Sequence, residues 1–542
     1  MRRSPSKHIA GANGAAETAG EDCAGRPPKE TRRLTMVFPL ESQTPIVGGG
    51  ADALTSDAID PVRLPSIRGQ LRFWWRALGT ERTADELFER ESALWGGVDI
   101  PPKTESRVPA RLDQAGTSSN SPPLPDAKKS LIRLDVQVER AGHEAPAGWH
   151  RRLDNGQFRA LPEWDDGPSF GYGLFPLQRS REERKEAHDA GQRRLGTKTV
   201  RAGLRFKLSV AIDDPSTNRL SDPDLNRIVA ALWAWIHFGG LGARTTRGFG
   251  ALALREKVTL AGRGSDALGA AWGPLFAPCP ADARVFAKRL ARFKETAKIG
   301  HEAAQQDWPV LHGARFVVAH ACERSTHDAH RALLGALREF RQGPGLGRAA
   351  GSQGRPGRSN WPEADALRRL ARDKRGAKFK VHPPRGPGDT APAAPRAAFG
   401  LPLNIGFKDR EDEQANGRVV VDGTHDRYTS PVRLCPDEQA NGCVVVDGTH
   451  DRYTSPVRLC PIACEKGTAL PVVLWLRPGL QTVKLKLALH GEKKPPEADA
   501  TIQSVAGAQQ PIAKYLGAAE PEGDAVDAWC KWLESSKGWE RL

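Results

Sequence analysis

The segment that most constrains the fold is an amphipathic helix predicted within residues 61–78, PVRLPSIRGQLRFWWRAL. Pro65 and Ser66 suit the first turn of a helix. Four apolar residues then recur at three- and four-residue spacing and form one face: Ile67, Leu71, Trp74 and Leu78. Because that face must be covered by other apolar surface, the segment predicts a packed core around this helix.

A stripe of arginines lies on a neighbouring face of the same helix, with one residue every four positions: Arg68, Arg72 and Arg76. Like charges at this spacing repel one another. The stripe therefore predicts an anionic partner, either carboxylates elsewhere in the fold or phosphates. Gly69 costs about 1 kcal/mol relative to Ala in a helix interior, and its bare backbone allows another chain to approach. A solvated basic face on an ordinary core helix is the competing interpretation.

The charge balance of the 542 residues favours a polyanionic partner. Lys and Arg number 80 against 65 Asp and Glu, which gives a formal charge of +15. No apolar run reaches the roughly 18 residues that span a bilayer, and the first residues lack the apolar region of a secretory signal. Eight cysteines without a CxxC pair fit a reducing compartment. We therefore expect a cytoplasmic protein that does not contact membranes.

The order of the predicted elements indicates an α+β protein. Alternating residues predict strands at the start of the segment 32–52, at 128–142 and at 201–212, and the helix within 61–78 lies between the first two. A capped helix at 221–238 follows, then a glycine-rich loop and a last strand near 255. Strand–helix–strand–strand–helix–strand is the ferredoxin-like order. The predicted divisions are a disordered leader (1–32), a first ferredoxin-like domain (33–255), a helical linker (256–310), a second such domain (311–490) and a C-terminal extension (491–542).

A tandem duplication interrupts the second half. Residues 412–436 recur at 437–461, and the two copies differ only in that Cys443 stands where the first copy has Arg418. Two copies are too few for a solenoid, which needs three or more units to bury a continuous core. We expect one copy to hold the native strand and the other to be accommodated as a loop.

The strongest chemical signal is the loop GGLGARTTRGFG at 239–250. Glycines such as Gly240 and Gly242 allow backbone N–H groups to face a phosphate, and Arg244 and Arg247 add planar charged forks. The loop is neither a Walker A motif nor a GxGxxG dinucleotide motif. Together with the arginine stripe it predicts contact with a nucleic-acid backbone. A structural turn with incidental arginines is the alternative.

The sequence contains few candidates for catalytic residues. Fourteen histidines occur without HExxH or another zinc pattern. His237, beside the glycine loop, is the one candidate for acid–base chemistry on RNA, although a partly buried histidine at a helix end is the simpler interpretation. The cysteines near the duplication include Cys435, Cys443, Cys460 and Cys464, and their clustering follows from the duplication. We therefore expect no metal and no cofactor. Trp75 lies off the apolar stripe and is a candidate for base stacking.

Several blocks of the sequence resemble the RAMP (repeat-associated mysterious protein) superfamily. They are TPIVGGGAD with RLPSIRGQLRFWWRAL near the start and the glycine loop at 239–250. More narrowly, GRSNWPEADALRR, FGLPLNIGF and YTSPVRLCPI in the second half resemble the first-numbered RAMP subunit of the type III-B, or Cmr, CRISPR-Cas effector complex. The leader before Met36, the insertion at 101–128 and the duplication depart from that pattern.

The resemblance implies two ferredoxin-like, RRM-like domains in a non-catalytic RNA-binding subunit of an antiviral ribonucleoprotein. It implies contact with guide RNA and complementary target RNA near the 3′ end of the guide, and with other RAMP subunits. The RNA-binding residues carried over are Arg68, Arg72, Arg76, Arg244 and Arg247. If these arginines are structural, RNA is expected to bind instead at the Gly/Arg-rich segment around Arg355 and Arg358.

Two other functions remain open. One is a metal-independent RAMP endoribonuclease that processes precursor guide RNA, which needs a general base and a partner acid. The chain contains only four tyrosines and offers no convincing set of this kind. The other is an assembly scaffold whose arginines meet acidic protein surfaces. Salt-dependent binding to RNA alone would distinguish the scaffold from an RNA-binding subunit.

Overall fold

A computed structural model describes most of the chain from Arg33 to the C-terminus. The described residues are 33–49, 57, 60–98, 127–155, 158–160, 170–177, 179–196, 198–213, 221–262, 264–278, 282–300, 308–351, 357–380, 382–385, 392–401, 403–407, 413–421, 455–477, 485–491, 496–503, 505, 507–519 and 524–542. The predicted leader, the insertion at 101–128 up to residue 126, and Arg355 lie outside them. No helix in the described part is long and apolar enough to cross a membrane.

The first half contains a large antiparallel sheet, two long helices behind it and smaller insertions. Its elements are β1 (Arg33–Ser42), α1 (Leu64–Ala77), α2 (Ala84–Trp95), β2 (Gly97–Val98), β3 (Ala127–Lys128), β4 (Ile132–Arg140), β5 (His143–Pro146), β6 (Trp149–Arg152), β7 (Phe158–Ala160), α3 (Phe170–Gly173), α4 (Arg181–Asp189), β8 (Arg194–Gly196), β9 (Thr199–Ala202), β10 (Arg205–Asp213), α5 (Asp222–Phe238), β11 (Leu252–Leu254), β12 (Thr259–Ala261), α6 (Ser265–Trp272) and α7 (Ala283–Thr296).

The sheet of the first half has the ferredoxin-like strand order. Its strands run β11–β1–β10–β4, and every neighbouring pair is antiparallel, with Val37 opposite Ser209 and Leu208 opposite Val136. The helices α1 and α5 connect β1 to β4 and β10 to β11. Ser221 caps α5 by accepting a hydrogen bond from the Asp224 N–H, as its sequence predicts. The predicted ferredoxin-like fold is confirmed here.

The second half repeats this arrangement around a second sheet. Its elements are β13 (Val310–Val318), α8 (Thr326–Gln342), α9 (Pro362–Arg375), β14 (Leu403–Ile405), β15 (Gly417–Val421), β16 (Val457–Ala463), β17 (Ala469–Arg477), β18 (Leu485–Leu489), β19 (Glu497–Ala500), α10 (Ile512–Gly517), α11 (Ala525–Lys537) and β20 (Glu540–Arg541). The second sheet runs β20–β13–β17–β16 and is antiparallel. Its last helix and strand, α11 and β20, lie within the segment 491–542, which the sequence predicts to be an extension.

The two domains stack in layers and share a core. The helices α8 and α11 cover one face of the second sheet, and α1 and α5 of the first domain contact its other face. Along β17 the side chains alternate between the two cores: Val472 and Leu474 pack with α1 and α5, whereas Val473 and Trp475 pack with α8 and α11. This explains why residues 470–476 are a continuous apolar run, since both faces of the strand are buried.

The duplicated segment contributes strands from both copies. The first copy supplies β15, which pairs with β14 and β18 in a separate four-stranded sheet. The second copy supplies β16 of the second ferredoxin-like sheet. Residues 422–454, between these strands, lie outside the described residues. Each described strand therefore uses a different half of the repeated unit.

Candidate nucleic-acid interface

The arginine stripe of α1 is held by groups of the protein itself. Glu91 of α2 is fully buried, and its Oε1 atom accepts hydrogen bonds from Arg72 Nε at 2.5 Å and Arg76 Nη1 at 2.6 Å. Arg68 donates to Ser130 Oγ at 3.1 Å and to the main-chain oxygens of two further residues, Trp95 and Ile132. Burial lowers the pKa of Arg76, and Glu91 opposes this shift. Of the two anionic partners considered above, the structure shows the carboxylate.

The position of Trp75 contradicts its proposed use as a base-stacking residue. Its ring is fully buried, and the Arg227 guanidinium lies 3.6 Å from the ring centroid. Arg227 is fixed in turn by Glu81, at 2.6 and 3.1 Å. A ring without exposed surface offers no face to a base. The helix α1 lies between the two sheets, so residues beyond its predicted apolar stripe are buried as well.

The glycines of the loop at 239–250 serve close packing of the backbone. A Cβ atom on Gly250 would lie 2.0 Å from the Leu241 carbonyl oxygen, and one on Gly242 would lie 2.5 Å from that of Val47. Gly240, at φ 154°, packs against Gly250 in the same way. The Leu241 N–H donates to the Gly250 oxygen, so this amide does not face a phosphate. The expectation that Gly240 and Gly242 open the backbone to a phosphate is therefore not met in this structure.

Arg244 adopts a backbone conformation that favours glycine. Its φ of 66° and ψ of 18° lie in the left-handed region, which costs a non-glycine residue about 1 kcal/mol. Its Nε donates to the Gly173 main-chain oxygen at 3.0 Å, and its guanidinium lies 5.1 Å from the centroid of the Phe175 ring. Within the described residues, its two Nη groups have no hydrogen-bond partner. Strained residues of this kind concentrate at functional sites.

Arg247 is held by neutral groups. It donates to Ser455 Oγ and to the Phe399 main-chain oxygen, both at 3.2 Å. Burial, together with the nearby charges of Arg341 and Arg244, lowers its pKa to about 9. A guanidinium with a depressed pKa and no counter-ion is one that an incoming anion would stabilise.

Arg341, near the end of α8, brings a third guanidinium to this place. Its Nη1 donates to the Tyr172 hydroxyl at 2.6 Å, and its buried Nε has no hydrogen-bond partner among the residues that the structure describes. In the described part of the chain, no carboxylate lies within ion-pair distance of Arg244, Arg247 or Arg341. We call these three residues the arginine cluster. The cluster lies where the glycine loop of the first domain meets the second domain, and it combines three cations with the hydroxyl of one tyrosine.

The open face of the first sheet, which an RRM uses for RNA, has a different character. Its cations are paired: Arg205 lies 2.9 Å from Glu41, and Lys207 and Arg255 lie 3.1 and 2.5 Å from Glu139. No large aromatic side chain is exposed there among the described residues. RNA recognition by stacking on RRM aromatics therefore has no counterpart on this face.

The remaining predicted residues are also engaged within the protein. Arg358 donates to Asp365 and to the Pro383 oxygen, both at 2.5 Å. The Nδ1–H of His237 donates to the Trp233 oxygen at 2.8 Å, and burial lowers the pKa of His237 to about 4. Burial raises the pKa of Cys460 to about 12. Cys435 and Cys443 lie outside the described residues, and those residues contain no cluster of three or more His, Cys, Asp or Glu side chains that could hold a metal ion.

No sequence motif marks Arg341, Tyr172 or Phe175 as members of this site. The segment GYGLFPLQ at 171–178 stands out as rich in aromatic residues and glycine, but nothing in the sequence connects it to the loop at 239–250. Arg341 lies on an ordinary amphipathic helix. Only the packing of the two domains brings these residues together.

Two stacked ferredoxin-like domains with a basic junction define the structural class of this chain. Within that class, residues 39–253 match the family model of the RAMP superfamily. The predicted RAMP resemblance is thereby confirmed. No protein of curated function matches the sequence.

Solved structures similar to this chain include three described as Cmr proteins. They are the apo form of Cmr1 from Pyrococcus furiosus (15% identity, 82% of this chain and 87% of that chain covered, TM-score 0.37), type III-B Cmr-beta bound to cognate target RNA and AMPPnP in the presence of single-stranded DNA (12%, 82% and 95%, 0.41), and type III-B Cmr-beta bound to cognate target RNA (11%, 82% and 95%, 0.37).

Proposed function

We propose that this protein is a non-catalytic RNA-binding subunit of a type III-B CRISPR-Cas interference complex. The observation that carries the proposal is the arginine cluster: three neighbouring guanidinium groups that have no carboxylate partner within the described residues. Elsewhere in the fold, cations such as Arg72, Arg76 and Arg227 are matched by carboxylates. Three guanidinium groups placed side by side in this way indicate a site whose counter-charge comes from a bound molecule.

Phosphodiesters suit this cluster better than acidic side chains of a protein partner do. Guanidinium forks match phosphate oxygens in a bidentate manner. Aromatic side chains adjoin the arginines, as they do in sites for single-stranded nucleic acids. The backbone strain at Arg244 also supports a bound ligand. Glycine would adopt this backbone conformation without strain, so the arginine at this position is explained by a role of its side chain. A scaffold that binds acidic proteins would require none of the aromatic groups.

The chemistry around the cluster supports a binding role without catalysis. Arginines, a tyrosine hydroxyl bonded to Arg341 and the Ser455 hydroxyl surround it, and no histidine or carboxylate bonds to its guanidinium groups within the described residues. His237 donates its Nδ1–H within its own helix. Cleavage of RNA without metal needs a positioned base and acid, and within the described residues no histidine or carboxylate is bonded to the guanidinium groups of the cluster to serve as that base. Purified protein is expected to leave guide-like and target RNA intact, with or without divalent metal.

The proposed position of this protein within the complex rests on the sequence blocks described above and not on the geometry of the arginine cluster. The blocks in both halves resemble the first-numbered RAMP subunit, which implies contact with guide and target RNA near the 3′ end of the guide. It also implies neighbouring RAMP subunits as partners. The RAMP match at 39–253 supports the broader part of this assignment.

Titration of RNA binding against salt tests the proposal. Full-length protein is titrated into fluorescein-labelled single-stranded RNA at several salt concentrations, with Arg244→Ala and Arg341→Ala together. The variant is expected to bind roughly tenfold or more weakly, and its log K against log salt to flatten by about 1.4, near 0.7 per lost phosphate contact.

The matched control is Arg372→Ala, which removes an exposed arginine that is paired with Asp373 on α9. It should leave both the affinity and the salt slope unchanged. Lysine at positions 244 and 341 should recover part of the binding, because it keeps the charge without the planar fork. Wild-type protein that binds no RNA, or a double variant with unchanged affinity and slope, would contradict the proposal.

A further inference from the structure

An exposed aromatic side chain adjoins the arginine cluster. Phe175 is 58% exposed, more than any other large apolar side chain whose exposure the structure describes. It opens a short 3₁₀ turn, Phe175–Leu177, directly after α3. Leu174 and Leu177 on either side of it are buried and anchor the turn. The exposed ring is therefore presented on a fixed support.

The segment that carries Phe175 also positions two arginines of the cluster. The Gly173 carbonyl oxygen accepts the hydrogen bond of Arg244 Nε at 3.0 Å, and the Tyr172 hydroxyl accepts that of Arg341 Nη1 at 2.6 Å. Arg244 lies 5.1 Å from the Phe175 ring centroid. The ring and the two guanidinium groups are thus held together by one turn of chain.

This combination is the arrangement that single-stranded nucleic acids require. Every base has an apolar π face that can stack on an aromatic ring, and the phosphates beside it need cations. The Arg244 guanidinium lies over the Phe175 ring, and this cation–π contact fixes the charged group beside the stacking residue. Base-paired RNA has no free face to offer, because its bases already stack on one another.

We propose that Phe175 is a base-stacking residue of a subsite for one unpaired nucleotide of RNA, with Arg244 and Arg341 holding the adjoining phosphates. The subsite rests on the proposed RNA-binding function and adds to it a preference for single strands. Phe175 supplies the contact with the base, and the arginines supply the charge. These two contributions are separable by experiment.

The test compares single-stranded RNA with a duplex of the same sequence in full-length protein. Phe175→Ala and Phe175→Leu should weaken binding to single-stranded RNA roughly five- to hundredfold, the range for loss of one aromatic stack, without changing the salt slope. Phe175→Trp should restore it. Duplex RNA should bind equally well to all four proteins. Val285→Ala, which shortens another exposed apolar side chain, is the matched control and should have no effect.

A second readout follows the base directly. An oligonucleotide with 2-aminopurine at successive positions should lose fluorescence at one position on binding to wild-type protein and to Phe175→Trp, and keep it with Phe175→Leu. Unchanged single-strand affinity in Phe175→Ala and Phe175→Leu, while Arg244→Ala still weakens binding, would overturn the stacking role and leave the proposed function standing. Equal losses for duplex and single strand in Phe175→Ala would also overturn it.

Discussion

Glu91 is the residue whose replacement best tests how the arginine stripe is used. Its buried carboxylate joins α2 to α1, and its Oε1 atom accepts from Arg72 at 2.5 Å and from Arg76 at 2.6 Å. Glu91→Gln keeps the shape and one acceptor oxygen but removes the charge. Both guanidinium groups then lose their counter-ion, and Arg76 stays buried.

The expected loss of stability is large. Breaking a buried ion pair by removing one partner costs about 3–5 kcal/mol. Arg72 keeps 28% of its side chain exposed and can turn towards water, so the lower end, about 3 kcal/mol, applies. The two domains share a core, so roughly 400–500 residues unfold together, and 3 kcal/mol then corresponds to a fall in Tm of about 3–4 °C.

Thermal unfolding followed by tryptophan fluorescence measures the effect. Glu89→Gln, on the exposed side of the same helix, is the matched control and should melt within about 1 °C of wild type. RNA affinity of Glu91→Gln, measured below its melting range, should equal that of wild type. An unchanged Tm combined with tighter or weaker RNA binding would refute this account and would indicate that the arginine stripe of α1 binds RNA.

Three further predictions concern stability. Arg458 is buried against Phe73 and Trp74, and within the described residues its Nε and Nη1 have no hydrogen-bond partner. In thermal scans, Arg458→Met should therefore raise the Tm and Arg458→Lys should lower it. Deletion of residues 422–446 removes the length of one repeat and keeps both β15 and β16. The Tm and the RNA affinity of the shortened protein should equal those of wild type. An insoluble product would show that both copies are needed. Burial lowers the pKa of His330 to about 4, against roughly 6.5 in the unfolded chain. The free energy of unfolding should therefore be highest above pH 6.5 and should fall by about 3 kcal/mol towards pH 4, because the unfolded chain binds the proton more tightly. Urea unfolding across this pH range should show a weaker pH dependence of stability in His330→Gln than in wild type.

The ferredoxin-like order could be predicted because it depends on local signals. Alternation predicts β10, Ser221 and Asp224 define the start of α5, and Gly96 follows the end of α2. The surroundings of α1 could not be predicted in the same way. An amphipathic pattern assumes one buried face, whereas α1 lies between two sheets that are contributed by distant parts of the chain. For that reason Trp75 is buried although it lies off the stripe.

The arginines show a second limit of the sequence. Arginines at four-residue spacing predict an anionic partner, but the spacing does not distinguish a carboxylate from a phosphate. The partner of Arg72 and Arg76 is Glu91, on the next helix, whereas the arginine cluster has no such neighbour within the described residues. The difference arises from the packing of the domains, which also brings Arg341 beside the glycine loop. Phe175 was missed because exposure is a property of the folded surface.

The core shared by the two domains has a consequence for how the molecule unfolds. Phe316, Leu470 and Leu474 of the second domain pack in the same apolar layer as Trp74 and Ile236 of the first. Separating the domains would expose that layer to water, so neither can lose its structure without removing apolar contacts from the other. Heating should therefore melt both in a single cooperative transition, and a chain cut near residue 255 should give two halves that aggregate rather than two independently folded fragments.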